Sequence, residues 1–166
     1  PAPRTLILDE DANLSDVMES LGSPVVLKAP DGSFSRSVHK VATREELTKK
    51  AKALFKDTAL IIAQEYMPTT FDWRVGVLGG KPLFACQYKM ARGHWQIIKH
   101  GEGGKMTEGG SATFAIEDTP AEVIDIAVRA ARVIGDGLYG VDIKQNEAGV
   151  FVIEVNDNPN MEHDVE

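Results

Sequence analysis

Near its C-terminus the chain reads Gly140-Val141-Asp142-Ile143-Lys144 and, after Gln145-Asn146-Glu147-Ala148-Gly149, continues to Val152-Ile153-Glu154-Val155-Asn156-Asp157-Asn158-Pro159. Two β-branched runs around a polar, glycine-containing link predict an antiparallel hairpin. Alternation along the second run puts Val152, Glu154 and Asn156 on one face, with Ile153 and Val155 on the other. On the first run Asp142 and Lys144 share a face, opposite Val141 and Ile143. A carboxylate of one strand then stands beside a carboxylate and an amide oxygen of its neighbour. Three hard oxygen donors, Asp142, Glu154 and Asn156, suit Mg²⁺, which binds through few carboxylates together with substrate phosphates. A solvated polar face is the plainer alternative, because polar-out alternation is the default of a half-buried strand.

Composition bounds what such a hairpin can belong to. With 166 residues, the chain is long enough for one domain or for two small lobes sharing a cleft. A formal charge of −7 argues against a nucleic-acid partner held by phosphate contacts. It leaves room for a nucleotide, because a local Lys/Arg cluster with Mg²⁺ can hold phosphates on an acidic protein. Cys86 is the single cysteine, so no disulfide framework exists, which fits a reducing compartment and a cytoplasmic location. No run approaches a membrane span and no signal peptide opens the chain, so no membrane partner is expected. The start at Pro1 and the stop soon after Pro159 read as a fragment of a longer protein.

Taken in order, residues 4–8 read as a short strand and 14–21 as a helix, with Leu14, Val17, Met18 and Leu21 at helical spacing. Residues 24–29 form a buried-type strand bearing Lys28, followed by a small-residue loop from Pro30 to Ser37 and a strand over 38–41. Thr43-Arg44-Glu45-Glu46 is a capping box opening a helix to about Phe55, and 59–66 form a strand. Strands over 71–78 and 82–89 flank Gly79-Gly80, a strong hairpin signal. A further strand is expected over 95–98, then a glycine-rich span over 100–110. Thr119-Pro120-Ala121-Glu122 reads as a second capping box. Its helix should run to about Ile134, with Ile124, Ala127, Ala131 and Ile134 on one face. This order predicts two α+β lobes rather than a doubly wound parallel sheet.

Several motifs fail on inspection. Gly101-Glu102-Gly103-Gly104-Lys105-Met106 lacks the Ser or Thr after lysine that a P-loop needs, and Met106 stands where a dinucleotide fingerprint needs its third glycine. His94 and His100 have no further ligand at zinc-like spacing. Cys86 lies in an apolar strand, as a packed thiol does. What remains is dispersed. Lys28 in an apolar strand is costly unless it is paired or snorkels, and an edge strand would explain it as simply. Asp72 and Arg74 share a strand face, where an ordinary surface ion pair is the plain reading. Lys89, Arg92 and Lys99 could be a solvated basic rim.

Together, Pro24-Val25-Val26-Leu27-Lys28, Gln64-Glu65-Tyr66-Met67-Pro68, Phe71-Asp72-Trp73-Arg74-Val75, Gly140-Val141-Asp142 and Glu154-Val155-Asn156-Asp157-Asn158-Pro159 resemble the RimK-like branch of the ATP-grasp superfamily. Met90-Ala91-Arg92-Gly93-His94-Trp95-Gln96-Ile97-Ile98 is similar to the subgroup that carries a separate N-terminal domain. The resemblance covers nearly the whole chain and implies an α+β ATP-grasp fold. About 1–67 would form a first lobe, about 68–166 a second lobe with the metal hairpin, and the nucleotide would bind between them.

The resemblance also implies roles. Lys28 would contact the α- or β-phosphate, with Ser33, Ser35 and the loop to Ser37 over the phosphates. Gln64, Glu65, Tyr66 and Met67 would line the adenine, and Asp72 would bind ribose. Asp142, Glu154 and Asn156 would hold one or two Mg²⁺ ions, or Mn²⁺, while Lys89 and Arg74 would stabilise the transferred phosphoryl group. The implied activity is that of an ATP-dependent carboxylate–amine ligase, amino-acid- or glutamate-adding. Its partners would be ATP, a carboxylate and an amine that is a small molecule or a protein, with an oligomer allowed. The alternatives are a nucleotide-binding regulatory domain without ligase turnover, and an interaction module that binds no nucleotide. The phosphate loop carries fewer glycines than many members do. Gln96-Ile97-Ile98 also stands where glutamate-adding members have Arg-Ser-Asn, so glutamate does not carry over by resemblance. His94, Gln96, Lys99 and His100 would then shape a different acceptor pocket.

Overall fold

A computed structural model describes residues 1–30, 37–100, 105–159 and 161, with the side chain of His100 also outside the description. The chain divides into two compact units, Pro3–Met67 and Pro68–Glu166, the latter joined by Pro1–Ala2. Among the described residues, no helix is long and apolar enough to cross a membrane.

The N-terminal unit comprises β1 (Thr5–Leu8), α1 (Ser15–Leu21), β2 (Val25–Lys28), β3 (Val38–Val41), α2 (Arg44–Leu54) and β4 (Ile61–Glu65). Its strands pair antiparallel in the order β1-β4-β2-β3. That order corrects the edge-strand account of Lys28, because β2 is bonded on both sides. Val17 and Leu21 of α1 and Leu47, Ala51 and Leu54 of α2 close the core over Val25, Leu27, Val41, Ile61 and Ala63. The capping box forms as the sequence predicts. Thr43 Oγ1 accepts from Glu46 N, and Glu46 Oε2 accepts from Thr43 N. Thr43→Ala should therefore cost about 1 kcal/mol, read as a lower urea midpoint at unchanged slope. No change in midpoint would mean that the cap adds nothing here.

The C-terminal unit comprises β5 (Phe71–Leu78), β6 (Lys81–Lys89), β7 (Ile98–His100), β8 (Met106–Glu108), β9 (Ser111–Phe114), α3 (Ala121–Ile134), β10 (Leu138–Asn146) and β11 (Gly149–Asn156). Its five-stranded antiparallel sheet has the order β11-β10-β5-β6-β9, and β7-β8 is a separate ribbon. Gly79 and Gly80 turn the β5–β6 hairpin with φ of 57° and 72°. Both central residues of this hairpin turn thus sit at positive φ, where glycine is unstrained. The expected strand over 95–98 is instead a bend, and pairing begins only at Ile98. Ala91 N donates to Gln96 O and His94 N to Ala91 O, which folds this segment on itself.

Two features of α3 differ from expectation. Thr119 Oγ1 donates to Ala115 O, closing a short 3-10 turn, so it does not cap the helix. Pro120 is the cap residue, and the Glu122 carboxylate accepts from Gln145 Nε2 instead of closing a box. The buried stripe is Val123, Ile126, Ala127 and Ala131, while Ile134 is 59% exposed. The buried stripe thus ends at Ala131, before the helix does. This stripe packs on Trp73, Val75, Val77, Ala85, Tyr139, Val141, Ile143 and Val150, leaving the opposite sheet face for polar groups.

Candidate functional site

That opposite face is built by register. Arg74 pairs with Asp142, which pairs with Glu154, and Gly76 pairs with Gly140, which pairs with Asn156. Strand alternation then brings Asp72, Arg74, Asp142, Lys144, Glu154 and Asn156 to one side. The hairpin, however, is not regular. Its turn is only Glu147-Ala148, because Asn146 Oδ1 accepts from Ala148 N and the rest of the polar link enters the ladder. Asp142 opposes Glu154 but Ile143 opposes Val152, so Ile153 is an extra residue. The bulge turns Val152 over to the core, correcting the expectation that it shares a face with Glu154. Apolar burial decides this. Val150, Val152 and Val155 all pack against the core only if one residue between them is skipped.

The ions on this face do not pair along their strand as sequence suggested. Arg74 Nε and Nη2 reach Asp142 Oδ1 and Oδ2 at 2.8 and 2.9 Å, a bidentate fork. Lys144 Nζ lies 2.7 and 2.9 Å from the two Asp72 oxygens and 2.8 Å from Thr69 Oγ1. Asp72 and Arg74 thus each reach across to β10, giving two crossed pairs of opposite polarity. Burial pushes the Asp72 carboxyl up, against the pull of Lys144 and Thr69. The Arg74 guanidinium also lies 5.5 Å from the centre of the Tyr88 ring. Asn156 Nδ2 is 3.3 Å from Asp142 Oδ2 and 3.4 Å from Gly140 O. A Cβ at Gly140 would come within 2.8 Å of Pro159 Cβ, so the glycine lets the chain after Asn156 fold back onto β10. Glu154 is exposed beside Asp142.

This donor set fits a hard divalent cation. Two carboxylates and an amide oxygen can share one ion, the remaining positions being filled by water or phosphate oxygens. Arg74 engages both Asp142 oxygens and Asn156 Nδ2 adds a second contact to Oδ2, so it is Oδ1 that these contacts leave with a second lone pair. Among the described residues no group of three or more His, Cys, Asp or Glu gathers to hold a metal ion, and the set here is two carboxylates completed by an amide.

The other sequence-predicted residues fall as follows. Lys28 closes β2 opposite Ile62 and Val38. Gln64 is buried in a strand paired on both sides, and its Nε2 donates to Thr5 Oγ1, so its side chain serves the sheet. Glu65 accepts from the backbone N and Nε of Arg4, both at 2.7 Å. Those bonds, the backbone one first, hold its carboxyl below the ordinary 4.5. Tyr66 carries Lys40 Nζ 4.6 Å from its ring centre, and Met67 ends the unit. Ser33 and Ser35 lie outside the described residues. Lys89 pairs with Phe71, on the pleat of Trp73, so the register does not bring it to the Arg74–Asp142 face. His94 Nε2 is 3.2 Å from Gln96 Oε1, and Lys99 is exposed on the β7-β8 ribbon.

Sequence reasoning missed three residues. Arg4 clamps Glu65 and donates to Ser20 O and Leu21 O at the end of α1, which has no basic residue in its last turn. Thr69 and Lys144 hold Asp72, and the only available signal was that Lys144 shares the Asp142 face.

Comparison with known proteins completes the description. The family profile described as a RimK-like ATP-grasp domain matches residues 1–165. A "Probable alpha-L-glutamate ligase 1" from Shewanella amazonensis is 32% identical over 163 residues, 96% of this chain and 51% of that protein. A "Probable alpha-L-glutamate ligase" from Alcanivorax borkumensis is 34% identical over 143 residues, covering 85% and 44%. The chain thus spans about half the length of the curated relatives it matches. Among solved structures, D-alanine–D-alanine ligase from Bacillus anthracis superposes with a TM-score of 0.74 at 20% identity, covering 95% of this chain and 52% of that one. The ATP-grasp ligase PsnB, complexed with minimal precursor, gives 0.64 at 22% identity, over 95% and 47%. These structural likenesses establish an α+β ATP-grasp fold.

Proposed function

The chain belongs to the RimK-like ATP-grasp family, and on that premise we propose that it carries the nucleotide- and metal-binding machinery of an ATP- and Mg²⁺-dependent carboxylate–amine ligase. The observation that carries the reading is the polar sheet face, where Arg74 forks onto Asp142 with Glu154 and Asn156 beside it. Asp142, Glu154 and Asn156 would hold Mg²⁺, one or two ions, or Mn²⁺. The ion supplies charge neutralisation at the phosphates when bound. Asp72 would accept from the ribose. Lys28 would meet the α- or β-phosphate, Ser33 and Ser35 the phosphate oxygens, and Gln64, Glu65, Tyr66 and Met67 the adenine. Arg74 from the face and Lys89 from the end of the neighbouring strand are the cations proposed for the transferred phosphoryl group.

Phosphoryl transfer asks the protein for positioning and charge rather than covalent chemistry. A substrate carboxylate oxygen would take the γ-phosphoryl group, giving an acylphosphate and ADP. The amine nitrogen would then attack the acyl carbon, losing a proton and expelling phosphate as the amide bond forms. Glutamate, the amino acid in the relatives' names, is the first amine to try. The absence of Arg-Ser-Asn at Gln96-Ile97-Ile98 makes other amino acids the next ones. The test is ADP release by the full-length protein with and without a carboxylate and an amine. Release that requires both supports the ligase. Tight ATP binding with no release in any pairing would instead leave a nucleotide-binding regulatory domain.

A further inference from the structure

We infer that Lys144 is a positioning residue that, with Thr69, aims the single open acceptor site of Asp72 at one ribose hydroxyl and so sets discrimination between ribo- and deoxyribonucleotides. The inference rests on the ribose role proposed for Asp72 and names what enforces it. The Lys144 ammonium lies within hydrogen-bond distance of Asp72 Oδ1, Asp72 Oδ2 and Thr69 Oγ1, straddling the two carboxylate oxygens. Thr69 Oγ1 in turn lies 2.8 Å from Asp72 Oδ1 and donates to it, closing a ring of hydrogen bonds. An ionised carboxylate offers about four lone-pair sites. Three are filled among the described residues, two on Oδ1 and one on Oδ2, so Oδ2 keeps one.

One open site means one hydroxyl. The position is also rigid. Lys144 stands one residue past the Ile143–Trp73 pair, so two paired strands carry the two halves of the ring. Both side chains are largely buried, at 16% and 17% exposure, which limits competition from water. Without Lys144 the carboxylate would be free to turn about its χ2 and would lose its aim. Thr69 alone holds one oxygen and leaves the other undirected.

The experiment compares dissociation constants of Mg·ATP, Mg·2′-deoxy-ATP and Mg·3′-deoxy-ATP for the full-length wild type, Lys144→Met, Lys144→Arg and Thr69→Val. A hydrogen bond to a charged acceptor corresponds to roughly tenfold to a hundredfold, the expected wild-type penalty for one of the two deoxy analogues. Lys144→Met should shrink that penalty to about threefold by weakening ATP alone, with Thr69→Val intermediate and Lys144→Arg partly restored. A merely structural lysine would weaken all three nucleotides alike and preserve the ratio, which overturns the inference. Should Lys144→Met not fold, an unchanged ratio in Thr69→Val does the same. A wild type that binds all three nucleotides equally also overturns it while leaving the ligase reading intact. A wild type that binds none overturns both.

Discussion

Replacing Asp142 with asparagine should remove most of the rise in melting temperature that Mg·ATP gives the full-length protein. A ligand that binds only the folded state adds about 2.7 kcal/mol at a hundredfold over its Kd. Most of that should vanish, because the variant loses the carboxylate that both meets Arg74 and faces Glu154. The ligand-free protein should suffer far less. Asparagine keeps one acceptor for the guanidinium, and the pair is about a quarter exposed, at 24% and 21%, so the loss is about 1 kcal/mol. Glu154→Gln should lose the same ligand-dependent increment at a small cost to the ligand-free fold, because interactions of an exposed carboxylate are screened by solvent. Differential scanning calorimetry with and without Mg·ATP reads both quantities at once. An undiminished shift in Asp142→Asn would remove this face from nucleotide and metal binding.

How far this face could be read beforehand depends on which forces set it. Local chemistry was legible. Gly79-Gly80 turns a hairpin because both positions need positive φ, and Thr43-Glu46 caps a helix because the two groups satisfy each other. The hairpin carrying Asp142 and Glu154 was legible for the same reason, as alternation is a property of each strand alone. What escaped was set by contacts between elements. Nothing in residues 150–156 announces a bulge, which exists because Val150, Val152 and Val155 are all drawn to one core. Thr119 has the spacing of a cap, yet the 3-10 turn before it offers Ala115 O to its hydroxyl first. Asp72 and Arg74 look like each other's partners until β10 is placed beside them, because each ion then finds a better-aligned counter-ion across the ladder. Thr69 lies in a loop after proline and carries no sequence signal of its own.

Trp73→Ala should be the most damaging substitution in the C-terminal unit, costing about 3–5 kcal/mol. Trp73 is 3% exposed on β5, the middle strand of the five-stranded sheet. Its ring meets Phe71 and Phe114 edge-on at 5.7 and 5.2 Å, and such pairs add about 0.5–1.5 kcal/mol beyond area. Its Nε1 donates to Gln145 Oε1 at 2.9 Å, tying β5 to β10 from the core side. On the other side of the same two strands, Asp72 and Arg74 flank Trp73 and grip Lys144 and Asp142. The register that aligns the ion pairs is therefore held by the indole, and loosening one loosens the other. Trp73→Phe keeps most of the buried area and should cost only about 1–2 kcal/mol, leaving Gln145 its bond to Glu122. Urea unfolding followed by far-ultraviolet circular dichroism separates the two variants. Trp73→Ala should also weaken Mg·ATP binding although the indole touches none of the proposed ligands. A loss below about 1 kcal/mol would mean that the sheet face is aligned by its ions alone.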